Sequence, residues 1–240
     1  MDKIRQHFDH EAAEFDRIIV RLIPHYATMV EALVAAVPFA VTTPIRVVDL
    51  GCGTGTIARR VLERFPDAHV TCVDLADNMI ALAKAKLHDF RQVRYVVGDF
   101  NHFEFDAAYD LVISALALHH LVTDQDKRNL YRKIFASLNP GGVFYNADVV
   151  LASTDHLQAL SMRQWQKFML CSVSEVEIDE QWIPKYQTED HPAKLTDQLS
   201  WMTEIGFAGV DVLWKYYNFA VYGGVRACAS GRSGTNVCGV

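Results

Sequence analysis

No two cysteines in this sequence stand as a C-x-x-C pair, and the five present, Cys52, Cys72, Cys171, Cys228 and Cys238, are odd in number. A zinc ribbon, a dithiol redox motif and a fully paired disulfide framework are therefore not written here. Cys52 and Cys72 fall in stretches of buried character, which favours a reducing, cytoplasmic setting. Metal-site signatures are missing too: there is no H-E-x-x-H and no paired His/carboxylate spacing, so no metal is expected. No apolar run approaches the roughly 20 residues of a membrane span. Residues 1–25 contain Asp2, Arg5, Asp9, Glu11 and Glu14, which no signal-peptide core tolerates. A basic excess is also absent, with 23 Lys+Arg against 29 Asp+Glu and a formal net charge of −6. That balance speaks against a dedicated nucleic-acid surface without excluding RNA, because neutralising phosphates needs a local surplus of cations.

What is present centres on Val47-Val48-Asp49-Leu50-Gly51-Cys52-Gly53-Thr54-Gly55-Thr56. A β-branched run ending in an acid reads as a buried strand, and the three glycines let the backbone turn sharply and approach a ligand closely. A helix follows from about Thr56 to Phe65, giving the strand, turn and helix start that hold nucleotide-type groups. A dinucleotide fingerprint needs G-x-G-x-x-G, whereas here the third glycine comes one residue early and position 56 is Thr. Asp74 ends the next apolar run, Val70-Thr71-Cys72-Val73, where a carboxylate can accept from both hydroxyls of a ribose. The combination favours adenosine without a pyrophosphate.

Half of the 240 residues are apolar, enough for one full core. Residues 2–36 read as helical, with Phe8, Phe15, Ile18, Ile19 and Leu22 near helical spacing and Pro24 breaking or kinking the run. After Asp74, the pair Asp77-Asn78 suits an N-cap and Met79 to Phe90 a helix. Strands are expected at Tyr95–Val97, Asp110–Ser114 and, after the turn Asn139-Pro140-Gly141-Gly142, at Val143–Asp148. Between them a helix from Asp124 to Leu138 turns Leu130, Ile134, Phe135 and Leu138 inward and keeps Lys127, Arg128, Arg132 and Lys133 on a solvated face. Strand and helix alternation implies a parallel sheet with right-handed crossovers. Residues 151–207 are too long for a simple connection. They read as a cover of three helical pieces, near 155–172, 174–181 and 193–205, with a polar loop from Pro184 to Pro192. Val210–Tyr217 and Phe219–Arg226 form a closing hairpin, and residues 228–240 a loose tail.

The acidic strand end, the G-x-G-x-G loop and Asp74 resemble the class I S-adenosylmethionine (SAM) methyltransferases. Asp99-Phe100, Ser114-Ala115-Leu116 and Pro140-Gly141-Gly142 extend the likeness over most of the chain. The resemblance implies an α/β, Rossmann-like, seven-stranded sheet with an antiparallel terminal strand. In its terms residues 1–227 are a single domain: a helical cap (1–44), a SAM-binding core (45–150), the 151–207 insertion and terminal strands (208–227). Phe15-Asp16, Ile23-Pro24-His25-Tyr26 and Tyr216-Tyr217-Asn218-Phe219 are similar to small methyltransferases related to carboxy-SAM synthase, in which the tyrosine matching Tyr26 touches the cofactor. The synthase carries an arginine in its cover segment, and residues 173–184 here hold no cation. Ordinary methyl transfer is the expectation.

The cofactor-binding set implied is Tyr26, Asp49, Gly51, Cys52, Gly53, Gly55, Asp74, Leu75, Met79, Asp99, Phe100, Ser114 and Ala115. Asp49 is assigned to the glycine loop and the methionine ammonium, against capping of backbone amides. Asp99 is assigned to the adenine amino group, against a plain turn role. His119 and His120 follow the fourth strand, where either ring could serve as general base; packing within the loop is the competing reading. Asp148 and His25 carry weaker forms of the same argument. Trp165, Phe168, Met169, Trp182, Tyr186 and Trp201 enrich the cover in large side chains, most of them expected in the core. The partner expected is a small-molecule acceptor, with a homodimer left open. A carboxy-SAM synthase-like enzyme and a non-catalytic SAM sensor are the alternatives.

Overall fold

A computed structural model describes residues 14–228 of the chain. Phe8 and most of the expected tail lie outside the described residues. Helices α1 (Phe15–Leu22) and α2 (Tyr26–Ala35) meet at 97°. The corner is set by Pro24 and by His25, whose φ of 54° is left-handed. Then come β1 (Arg46–Leu50), α3 (Thr56–Arg64), β2 (His69–Asp74), α4 (Asp77–Lys86), β3 (Val93–Val97), β4 (Tyr109–Ala115), α5 (Asp124–Ser137) and β5 (Leu138–Val149). The cover holds α6 (Asp155–Met169), a helical stretch from Glu175, α7 (Ile183–Glu189) and α8 (Leu195–Ile205), before β6 (Ala208–Tyr216) and β7 (Phe219–Val225).

The seven strands form one sheet in the order β3-β2-β1-β4-β5-β7-β6. β1 to β5 are parallel, and β7 runs antiparallel to both its neighbours. Alternation along the central strands sends neighbouring residues to opposite faces. Val47, Leu111 and Ile113 join the core under α1 to α4 and α6. Val48 and Val112 join the one formed with α5 and α8, through Leu130, Ile134, Trp201 and Met202. Burial on both faces explains the unbroken apolar centre of β4.

Four local expectations are corrected. Helix α4 has Ala76, not Asp77 or Asn78, at its N-cap and ends at Lys86. Asp77 instead stands in the first turn, where its charge meets the amide end of the helix. The Asn139–Gly142 segment belongs to β5: Leu138 pairs with Tyr109 and Val143 with Leu111, so the turn residues bulge out opposite Asp110. The polar loop expected from Pro184 is largely α7, with Pro184 in its first turn, where a missing N–H is harmless. Lys127 is 2 % exposed rather than solvated, its ammonium donating to the Leu121 carbonyl. No single helix among the described residues is long and apolar enough to cross a membrane.

Candidate functional site

The sheet order reverses direction between β1 and β4, so the loops leaving these strands part and open a crevice at their carboxyl ends. A cleft of about 750 Å³ occupies it. The first loop, Gly51 to Gly55, uses φ of +72°, +52° and +80° at its three glycines. A Cβ on Gly51 would lie 2.3 Å from the Cβ of Ala117, so only glycine lets this loop pass the one after β4. Asp74 ties the loop down: Oδ2 accepts from the Gly53 amide at 2.8 Å and Oδ1 from the Ala76 amide at 3.0 Å.

Of the residues named from sequence, Tyr26, Gly51, Cys52, Gly53, Asp74, Leu75, Met79, Phe100 and Ala115 line this cleft. Asp49, Gly55, Asp99 and Ser114 are not on its wall. Asp49 is fully buried behind the loop, and burial, with the Asp74 charge second, pushes its carboxyl up to about 7. A Cβ on Gly55 would lie 3.1 Å from Leu87 and 3.2 Å from Ala83, so this glycine serves the close packing of the loop on the α4 region. The Asp99 carboxylate closes its own turn, Oδ1 accepting from the Asn101 amide at 2.8 Å. Ser114 Oγ donates to the Leu50 carbonyl at 2.7 Å across the β4–β1 pair. Tyr26 has its phenol raised by burial and then by the charges of Asp16 and Asp49.

Phe15, Leu116 and His120 also face a second cavity of about 840 Å³, roofed by Trp165, Trp182, Lys185 and Tyr186. Leu116 holds a φ of 52°, a left-handed backbone rare for leucine, at the partition between the two spaces. His119, His120 and Asp190 stand on the wall of the second cavity. His119 Nδ1 is hydrogen-bonded to Asp148 Oδ1. Asp148 is 2 % exposed and also accepts from the His119 and Val149 amides and from Asn146 Nδ2. Asp190 Oδ1 lies 3.5 Å from His119 Nε2 and 3.6 Å from His120 Nδ1. Burial pulls the His119 ring down, but Asp148 and Asp190 outweigh it and hold the ring up at about 10. Burial and the His119 charge push His120 down to about 3. Neither ring is poised near neutrality as a general base is. His25 packs on the Tyr216 ring at 4.6 Å and lines neither cavity.

A clasp closes the outer side of the cleft. Asp16 of α1 accepts from Thr54 Oγ1 and Lys86 Nζ, both at 2.6 Å, so α1 is fastened to the glycine loop and to α4.

Residues 47–142 match the family model described as a methyltransferase domain. Over these residues the chain is similar to a methyltransferase domain, on a seven-stranded Rossmann-like α/β fold. Malonyl-[acyl-carrier protein] O-methyltransferase of Bacillus anthracis is 30% identical over 105 residues, covering 44% of this chain and 38% of that protein. The carboxy-S-adenosyl-L-methionine synthase of Pseudoalteromonas translucida is 25% identical over 219 residues, 88% of this chain and 90% of that one. The chain spans between about a third and a half of the length of the malonyl-[acyl-carrier protein] relatives it matches. Among solved structures, an O-methyltransferase family protein from Burkholderia thailandensis superposes with a TM-score of 0.67 at 18% identity, covering 93% of this chain and 63% of that one.

Around this core, the sequence assigned no site role to Thr54, Thr56, Ile57, Leu116 and Ala117 on the cleft or to Lys185 and Asp190 on the second cavity. Thr54 and Thr56 flank the glycines and were open to local reading. Lys185 falls one residue past the stretch searched for a cation. Nothing local marks Asp190, which reaches His119 only through the folded cover.

Proposed function

We propose that this chain is a SAM-dependent methyltransferase that alkylates a small-molecule acceptor. The observation that carries the reading is the pairing of two cavities across Phe15, Leu116 and His120, one built on the glycine loop and Asp74, the other under the cover. The cleft fits an adenosyl group: Gly51 and Gly53 permit close backbone approach, Asp74 offers carboxylate oxygens to ribose hydroxyls, and Phe100, Met79 and Leu75 present apolar surface to a base. Bound SAM supplies an electrophilic methyl on a sulfonium. The protein's own work is to align the acceptor beyond that methyl, keep water out and leave a lone pair free. Trp165, Trp182 and Tyr186 exclude water above the second cavity. With the His119 ring held charged by Asp148 and Asp190 and the His120 ring made a weak base by burial, the site suits an acceptor that enters already nucleophilic. In this reading one domain over residues 1–227 does the work, in a cytoplasmic setting that suits the free buried thiols Cys52 and Cys72.

Incubation of the purified protein with SAM and a metabolite extract should yield S-adenosylhomocysteine and a product heavier by one methylene. Calorimetry should show SAM uptake, weakened about tenfold or more by Asp74→Asn, since hydrogen bonds to a charged group contribute about 1.5–3 kcal/mol. No uptake, or uptake indifferent to Asp74, refutes the reading. Uptake without turnover favours the sensor.

One observation favours a second reading. Lys185 places a cation on the wall of the second cavity, where an extra carboxylate could be met, and the carboxy-S-adenosyl-L-methionine synthase likeness spans most of the chain. Consumption of prephenate-type acids with SAM would establish that chemistry instead.

A further inference from the structure

We propose that His119 Nε2, His120 Nδ1 and Asp190 Oδ1 bind one first-row divalent transition-metal ion on the wall of the second cavity. The three residues offer ligand atoms that all lie within 4.8 Å of one another. The carboxylate oxygen is nearly equidistant from the two ring nitrogens, at 3.5 and 3.6 Å. Those separations are long for hydrogen bonds. They match the edge of a tetrahedron drawn with metal bonds of about 2.0–2.2 Å, which is about 3.4 Å. His120 Nδ1 also faces the Glu189 carbonyl at 3.3 Å, a long contact that coordination would replace.

The second feature is how His119 is held. A metal-bound imidazole usually gives its other N–H to a carboxylate, which fixes the ring and its tautomer. Here Nδ1 is bonded to Asp148, so Nε2 is the atom left toward Asp190. Asp148 is itself fixed by Asn146, whose amide also donates to Tyr222 Oη at 2.8 Å. Tyr222 and Tyr131 close the network on Gln198. Such depth of support is more than packing a loop histidine requires.

Two imidazoles and a carboxylate select zinc, iron or nickel over magnesium or calcium. Three protein ligands leave a fourth position, as in catalytic zinc sites. On the methyltransferase reading proposed above, that position takes an anionic oxygen of the acceptor and holds it in the second cavity. Lys185 on the same wall adds positive charge for such an acceptor.

The test uses the full chain without SAM, so its failure leaves the methyltransferase reading standing. After stripping with a chelator, zinc titration by calorimetry and metal analysis should show one equivalent bound. Asp190→Asn and His120→Gln should each weaken binding at least about tenfold, and Asp148→Asn about tenfold through ring orientation. Cobalt(II) in the unmutated protein should give the intense visible band of a four-coordinate ion, a readout that depends on no variant folding. Failure to bind a stoichiometric ion, a spectrum of hydrated cobalt, or equal binding in both ligand variants overturns the proposal.

Discussion

Gly51 and Gly53 look alike in the sequence and differ in the fold. Both have positive φ, but a Cβ on Gly51 would meet Ala117 at 2.3 Å, whereas one on Gly53 has only the Phe15 ring at 4.0 Å. Gly51→Ala therefore combines left-handed strain with overpacking against a side chain that cannot swing aside. It should destabilise by about 2–4 kcal/mol, and Gly53→Ala by about 1 kcal/mol, from strain alone. Urea unfolding of the two variants measures the difference, and equal losses would show that the β1 and β4 loops do not meet as described. At this scale the cradle was legible because Asp49 to Asp74 lie close together in the chain and each glycine answers a local backbone need. The His119, Asp148 and Asp190 cluster was not. Its members come from three segments, and the spacing of residues 119 and 190 means nothing until the cover is laid down.

Among the elements, α1 is held by its apolar face, by bonds from its last turn to the cover and, at its start, by the clasp. Asp16 is half-exposed, and burial raises its carboxyl, but bonds from Lys86 and Thr54 outweigh that and leave it lowered. An ion pair this open adds under about 1 kcal/mol to global stability. Its effect belongs on the loop, whose Thr54 and Thr56 hydroxyls share the same ammonium, Lys86 Nζ donating to them at 2.6 and 2.7 Å. Asp16→Asn should leave unfolding within about 1 kcal/mol of the parent while weakening SAM binding about three- to tenfold, with salt reducing the difference. Calorimetry at two ionic strengths checks this; a large stability loss with unchanged affinity would contradict it. Element type was legible where apolar periodicity was clear, as in α5, to which the structure adds a Thr123 capping box. It failed where one residue had two uses. Pro184 breaks helices in their interior but opens α7, and Lys127, polar by composition, is buried because its stem fills core and its ammonium finds the Leu121 carbonyl.

Across the whole molecule, a parallel sheet followed from strand and helix alternation, while the assembly of cap and cover did not, since nothing in either amphipathic pattern names its partner. The two are in fact joined. Trp165 Nε1 of α6 donates to the Leu22 carbonyl at 2.7 Å, and Arg21 Nε donates to the Ser172 carbonyl at 3.1 Å. The cover is in turn tied to the β4 loop by the His191 amide on the His119 carbonyl at 2.8 Å. A ligand that orders Phe15 and Leu116 thus acts on a closed circuit of loop, cap and cover. The expected result is that SAM slows amide exchange in Phe15–Leu22 and also in Asp155–Glu189, although only the former flanks the cofactor cleft. Trp165→Phe keeps a ring in the core and deletes the donor to Leu22; it should preserve protection of the glycine loop and lose much of the added protection in the cover. Exchange mass spectrometry with and without SAM decides the matter: slowing confined to residues near the loop in the parent protein would mean that cap and cover open independently, and that acceptor binding is not coupled to the cofactor through them.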